Sequence, residues 1–171
     1  MQVLQAVIKR RSIRRFEKKM IPEDLIPHLE ESLIWAPSAG NLQSRRFYFI
    51  YRDDLKGKLA RAAYDQDCVL LAPLVVVCCA DQRIELHYGG RGTSLYSLQD
   101  VAASVQNLML VAYSLGLGSV WVGAFREGDV YTILDLPDHL RPIAMVPVGY
   151  PAEEPYPPSR VKKENAITHV R

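Results

Sequence analysis

Between Lys9 and Lys19 the stretch KRRSIRRFEKK places seven of the chain's 21 lysines and arginines within eleven residues. The arrangement Arg10-Arg11-Ser12-x-Arg14 offers the donors that a phosphate monoester needs. Such a group carries close to two negative charges and three acceptor oxygens; arginine supplies paired N–H donors in a fixed fork, and a nearby serine adds a short hydroxyl donor. Two other uses compete, a nucleic-acid-binding arm and a solvated charge run. An arm of that kind asks for aromatics that stack on bases or a helix that enters a groove. Here the charges are accompanied by one aromatic, Phe16, and both Ile13 and Phe16 read as anchors into a core. Arg10, Arg11, Ser12 and Arg14 therefore read as a socket for a small anion, and Arg15, Lys18 and Lys19 as solvated surface.

Other chemistries find less support. His28, His87, His139 and His169 are scattered without ligand spacing, so no metal site is expected. Cys78 and Cys79 are adjacent within PLVVVCCA and read as small buried hydrophobes, which suits a reducing, cytoplasmic setting. A net charge of +2 gives no compositional argument for a nucleic-acid partner. LQAVI is too short for a secretory signal and precedes the basic cluster instead of following one. Val101 to Val122 contains Gln106, Asn107 and Tyr113, so it reads as a buried helix and turn, with no membrane span expected.

The elements that must position the socket follow from periodicity. Val3, Leu4, Val7 and Ile8 share one face of a helix over residues 2–10. A second helix is predicted from about Pro22 to Trp35, with Leu25, Ile26, Leu29, Leu33 and Ile34 inward; Pro27 requires it to begin later or to kink. APSAGNLQS is a loop, RFYFIYR a strand and DDLKGKLARAAY a short helix. PLVVVCCA has the unbroken apolar character of a strand buried on both faces. A long central helix follows over Ser94–Leu115, then a strand at GSVWVGAF, a helix at DVYTILDL and a strand at PIAMVPVGYP, where Pro147 favours an edge or irregular position. Residues 1–171 read as a single α+β domain with an extended, proline-rich arm over 150–171.

RRSIRRF, APSAGNLQ, YDQDCVLLAP, LYSLQDVAASVQNLMLVAYSLGLGSVWVGAF and VPVGYP…SR fall in the order seen in the nitroreductase-like flavoproteins. The resemblance covers nearly the whole chain, as a short member of that family. It implies an α+β fold with a mixed central sheet flanked by helices, and an obligate homodimer with an exchanged C-terminal arm and active sites at the subunit interface. It also implies FMN as cofactor, passing hydride from NADH or NADPH to nitroaromatic, quinone or similar acceptors. By this resemblance Arg10 and Ser12 contact the flavin phosphate, Arg11 fills a variable basic position, and Arg14 reaches the ribityl and flavin side. Pro37, Ser38, Ala39 and Asn41 match a loop that approaches the flavin from the partner subunit; Ala39 departs from a frequent serine. Gln66 matches a partner of the flavin pyrimidine edge, Trp121, Val122, Gly123 and Ala124 a strand end along the isoalloxazine, and Arg160 a late basic residue returning to the phosphate.

A long insertion found in larger relatives is missing, so Tyr88, Arg91 and Tyr96 in the short link are the candidates for the substrate-pocket mouth. No acid, base or nucleophile is needed, because FMN carries the hydride chemistry. Since one fold serves many reactions, a specialised flavoenzyme (dehalogenase, dehydrogenase or flavin-cleaving) and a non-catalytic flavin-binding protein stand as alternatives.

Overall fold

A computed structural model describes residues 2–171. Its centre is a sheet of four strands: β1 (Arg45–Ile50), β2 (Leu74–Asp81), β3 (Gly118–Ser119) and β4 (Leu140–Gly149), in the order β1-β2-β4-β3. All three ladders are antiparallel, so the mixed character expected of the sheet is confined to one isolated parallel bridge between Ser12 and Ser119.

The helices are α1 (Val3–Lys9), α2 (Ile26–Ile34), α3 (Asp53–Ala62), α4 (Asp67–Leu71), α5 (Glu85–Arg91), α6 (Ser97–Ser114) and α7 (Glu127–Leu134). They cover both faces of the sheet. Because side chains alternate along a strand, β2 sends Val75, Val77 and Cys79 to the core under α3, α4 and α7. Leu74, Val76, Cys78 and Ala80 enter the core under α2 and α6. Burial raises the Cys78 thiol pKa, with a further rise from Cys79, and pushes that of Cys79 up to about 12, so neither is a nucleophile.

Three elements differ from their sequence reading for visible reasons. Glu23–Leu25 form a 3₁₀ turn and α2 starts only at Ile26, which puts Pro27 in the first turn where a missing N–H costs nothing. Ile34, predicted inward, is exposed, while Leu29 and Leu33 are buried as expected. Pro147 lies on an interior strand, not an edge. Its carbonyl accepts from the Val120 amide, so its nitrogen faces the same side, where β3 has already ended after two residues. The missing donor therefore falls where no ladder needs it. The apolar face of α1 (Val3, Leu4, Val7, Ile8) is exposed in the isolated chain, which packs α1 through Ala6 instead. Among the described residues no helix is long and apolar enough to cross a membrane.

Candidate functional site

The basic stretch leaves α1 and threads along the end of the sheet. Ile13 donates its amide to the Ser119 carbonyl at 3.0 Å, Glu17 to Tyr150 at 2.9 Å, and Phe16 bridges to Pro151. Gly118 makes the docking of Ile13 possible, since a Cβ there would lie 2.7 Å from the Ile13 Cβ. With Ile13 buried and Phe16 packed on the core, the polar side chains between and before them are held in place.

Of these, Arg10 and Arg11 line a cleft of about 390 Å³, together with Tyr113, Gly116, Ser119, Glu153 and Glu154 among others. Arg10 Nη1 and Ser119 Oγ are buried without a hydrogen-bond partner. Each such donor costs about 1–3 kcal/mol while it stays unsatisfied. Burial, and then the charges of Arg11 and Arg160, hold the Arg10 guanidinium below the ordinary arginine range. The charges of Arg11 and Arg160 thus act on Arg10, and among the described residues none of the three forms an ion pair. Orphaned donors on and beside a partly buried arginine, in a cleft also lined by Glu153 and Glu154, fit an anion with several acceptor oxygens. The turn beside them already accepts one: the Glu153 carboxylate takes the amides of Arg14 and Arg15. Arg11 is partly committed elsewhere, because its Nη1 donates to the carbonyls of Ile8 and Arg10 and closes the end of α1.

From Ser119 the chain runs on to Ala124. Val122 is buried and pairs with Met145 in both directions, at 2.9 and 3.0 Å, while Trp121 is 37% exposed. Gly123 and Ala124 are exposed, and among the described residues no carbonyl accepts from their amides. Gln66, at the start of α4, donates its Nε2 to the carbonyls of Ala63 at 2.9 Å and Ala124 at 3.2 Å. It therefore ties α4 to the strand end, with its amide oxygen left over. Arg14 acts electrostatically on Cys68 in α4, which places it on the same side.

The loop Pro37–Gln43 is built differently. Gly40, Asn41 and Gln43 all have left-handed backbone, with φ of 55°, 56° and 53°. The two non-glycine residues store strain of about 1–3 kcal/mol each. Every flank of the loop is bonded: Ser38 Oγ accepts from the Gln43 amide, Ala39 donates to Asp100, and Arg45 donates to the carbonyls of Ile34, Ala36 and Pro37. Burial lowers the Arg45 pKa, and the charge of Asp100 opposes that shift. Tyr88 packs against Gly40, where a Cβ would collide with its hydroxyl. Tyr88 and Tyr96 meet edge to face at 5.2 Å, and Arg91 Nε donates to the Tyr96 hydroxyl at 3.0 Å. The three residues predicted at a pocket mouth therefore form one cluster beside the loop, carried by α5 and a π-helical turn over Gly92–Tyr96.

The predicted residues thus divide into two groups at opposite ends of α6. Asp100, in its first turn, holds the loop; Tyr113, in its last, lines the cationic cleft. Thirteen residues of helix separate them, about 20 Å. Of the predicted residues, Arg10 and Arg11 line the cleft and Ser12 bridges to Ser119 at its edge, while Arg160 acts on Arg10 by its charge; Trp121–Ala124 run on from Ser119, tied to Gln66, and Arg14 acts on Cys68 in α4. Pro37, Ser38, Ala39, Asn41, Tyr88, Arg91 and Tyr96 belong to the loop end. Three contributors were not read from the sequence: Ser119, Asp100 and Arg45. Asp100 had a signal, being the one charged residue between Ser94 and Val122.

Sequence and fold together define a known class. The sequence profile of the Nitroreductase family matches residues 7–67 and 62–150, and the chain belongs to that family. It is 35% identical over 190 residues to an NADH dehydrogenase of Thermus thermophilus, covering 95% of this chain and 93% of that one. It is 26% identical over 182 residues to an FMN reductase [NAD(P)H] of Bacillus subtilis, covering 98% and 73%. Among solved structures, NfrA1 nitroreductase from B. subtilis superposes with a TM-score of 0.90 at 25% identity, over 98% of this chain and 73% of that one.

Proposed function

We propose that the chain is a single-domain subunit of an FMN-dependent NAD(P)H oxidoreductase of nitroreductase type, acting as a homodimer whose flavin sites draw on both chains. The observation that carries the cofactor is the pair of orphaned donors, Arg10 Nη1 and Ser119 Oγ, on and beside an arginine that the charges of Arg11 and Arg160 act on. When bound there, FMN supplies the chemistry, accepting hydride from the nicotinamide and passing it to a nitroaromatic, quinone or similar acceptor. Arg10, Ser12, Ser119 and Arg160 hold the phosphate, and Arg14 lies toward the ribityl side. Five residues of extended chain from Ser119 to Ala124 cover about 16 Å, a span that suits the rest of the cofactor. Along it the free amides of Gly123 and Ala124 donate toward the ring, and the Gln66 amide offers its oxygen to the pyrimidine edge. Water supplies the proton, so no side chain is assigned as acid or base.

The two half-sites lie about 20 Å apart along α6, and on this reading Pro37, Ser38, Ala39 and Asn41 cover the flavin held by a partner chain. The exposed apolar face of α1 and the C-terminal arm agree with this. Every residue from Tyr156 to Arg171 is exposed, apolar Tyr156, Val161, Ile167 and Val170 included. A cytoplasmic location fits both the nicotinamide donor and the buried free thiols.

The visible spectrum of the purified protein, followed by anaerobic addition of NADH or NADPH, tests the reading. Yellow protein that bleaches is the expected result. Colourless protein that takes up no FMN on reconstitution defeats it, and yellow protein that neither nicotinamide reduces leaves a non-catalytic flavin binder.

A further inference from the structure

Asp100 is 4% exposed, at the start of an otherwise uncharged helix. Its Oδ1 accepts the Ala39 amide at 2.9 Å and its Oδ2 accepts the Ser44 hydroxyl at 2.7 Å. On the other flank, the Arg45 guanidinium donates to the carbonyls of Ile34 at 3.0 Å, Ala36 at 2.6 Å and Pro37 at 3.0 Å. Neither charge forms an ion pair among the described residues, although each faces the other closely enough for Asp100 to act on Arg45. Both are spent on the backbone and side chains of one short loop. That loop contains the left-handed Asn41 and Gln43, a conformation that side-chain-bearing residues abandon unless their surroundings hold them.

We infer that Asp100 and Arg45 are positioning residues of the flavin site, clamping Pro37–Gln43 in the shape in which it meets the partner chain's flavin. The inference rests on the two-chain reading above. A loop fixed before the cofactor arrives loses no further freedom on binding, so its contacts count in full toward affinity. Neither side chain touches the cofactor; both act through the loop. The two flanks are not redundant, because Arg45 satisfies carbonyls and Asp100 satisfies an amide and a hydroxyl.

The test compares full-length wild type with Asp100→Ala, Asp100→Asn, Ser44→Ala and Arg45→Ala. Hydrogen exchange of residues 36–44 and of residues 10–16 is followed in the FMN-free protein, and FMN affinity is measured by fluorescence titration. Asp100→Ala and Arg45→Ala should speed exchange in the loop and weaken FMN about tenfold, equivalent to ~1.4 kcal/mol. Exchange at residues 10–16 should not change. Ser44→Ala, which removes one bond, should fall between these and wild type. Asp100→Asn should remain near wild type, since its oxygen still accepts from Ala39 and its amide can donate to Ser44. The graded order Asp100→Ala, Ser44→Ala, Asp100→Asn supplies the answer even if the most severe variant folds poorly. Wild-type FMN affinity in Ser44→Ala and Arg45→Ala, or equal acceleration of exchange at both segments, overturns the positioning role while leaving the flavin reading intact. A wild-type protein that takes up no FMN overturns both.

Discussion

The two ends of α6 satisfy their polar groups in opposite ways. At the C-terminal end, Arg10 and Ser119 keep buried donors unpaired, and the charges of Arg11 and Arg160 act on Arg10. At the N-terminal end, the loop around Gly40 has its flanking carbonyls, amides and hydroxyls bonded, yet its backbone is strained. The first end leaves donors free for an anion; the second has its flanking groups satisfied within the chain. A site assembled from one of each, contributed by two chains, gains electrostatic capture from the first and preformed shape from the second.

Riboflavin separates the two contributions, because it lacks the phosphate. The largest effect is expected for Arg10→Ala, which removes a charge-assisted bond worth about 1.5–3 kcal/mol and should weaken FMN about 10–100-fold. Its effect on riboflavin should be small. Equal losses for the two ligands would break the comparison by showing that Arg10 does not meet the phosphate.

Next in size is Gly118→Ala. The new Cβ meets Ile13 and should cost about 1–3 kcal/mol of stability, read as a lower urea midpoint. FMN affinity should fall with it, since Ile13 holds the socket. An unchanged midpoint would mean that the stretch 12–16 is free to move aside. Gly40→Ala acts at the other end, where the left-handed backbone costs a side chain about 1–2 kcal/mol. It should weaken FMN and riboflavin by the same factor, and Tyr88→Phe should recover part of the loss by removing the hydroxyl that collides. A loss confined to FMN would contradict a loop that contacts the ring.

The smallest effect is expected for Lys18→Ala and Lys19→Ala. Both residues are exposed, and Lys19 stacks over Tyr150 at 3.9 Å from the ring centre. Surface charges of this kind contribute about 1 kcal/mol or less, so FMN affinity should stay within about fivefold. A larger drop would extend the socket beyond Arg14.

What could be read in the sequence follows the range of the interactions. PLVVVCCA announced a strand buried on both faces because each of its side chains carries that information itself. Arg10, Ser12 and Arg14 read as a socket for a similar reason, because three closely spaced polar groups resist explanation as core; of the three, Arg10 lines the cleft. Ile13 and Phe16 stood out as anchors between them. Arg45 was hidden inside RFYFIYR, where it reads as one residue of a strand, because its partners are carbonyls eight to eleven residues earlier that only the fold brings near. Ser119 is one residue of the predicted strand GSVWVGAF, and its unpaired hydroxyl exists only once the core has closed around it. Pro147 was misplaced because its tolerance depends on where a neighbouring strand stops. The resemblance to nitroreductases implies the two-chain arrangement, which no local pattern contains.

Complementation between two damaged chains tests the composite site most directly. Arg10→Ala spoils the cationic end, and Gly40→Val spoils the loop end through its backbone conformation and the collision with Tyr88. Each homodimer then carries two defective sites. A heterodimer, purified from co-expressed chains with two different tags, carries one site with both defects and one with none. The composite arrangement predicts that the heterodimer binds one FMN per dimer with wild-type affinity, while neither homodimer does. A heterodimer whose sites all bind as weakly as the homodimers would contradict it, and place both half-sites in the service of a single chain.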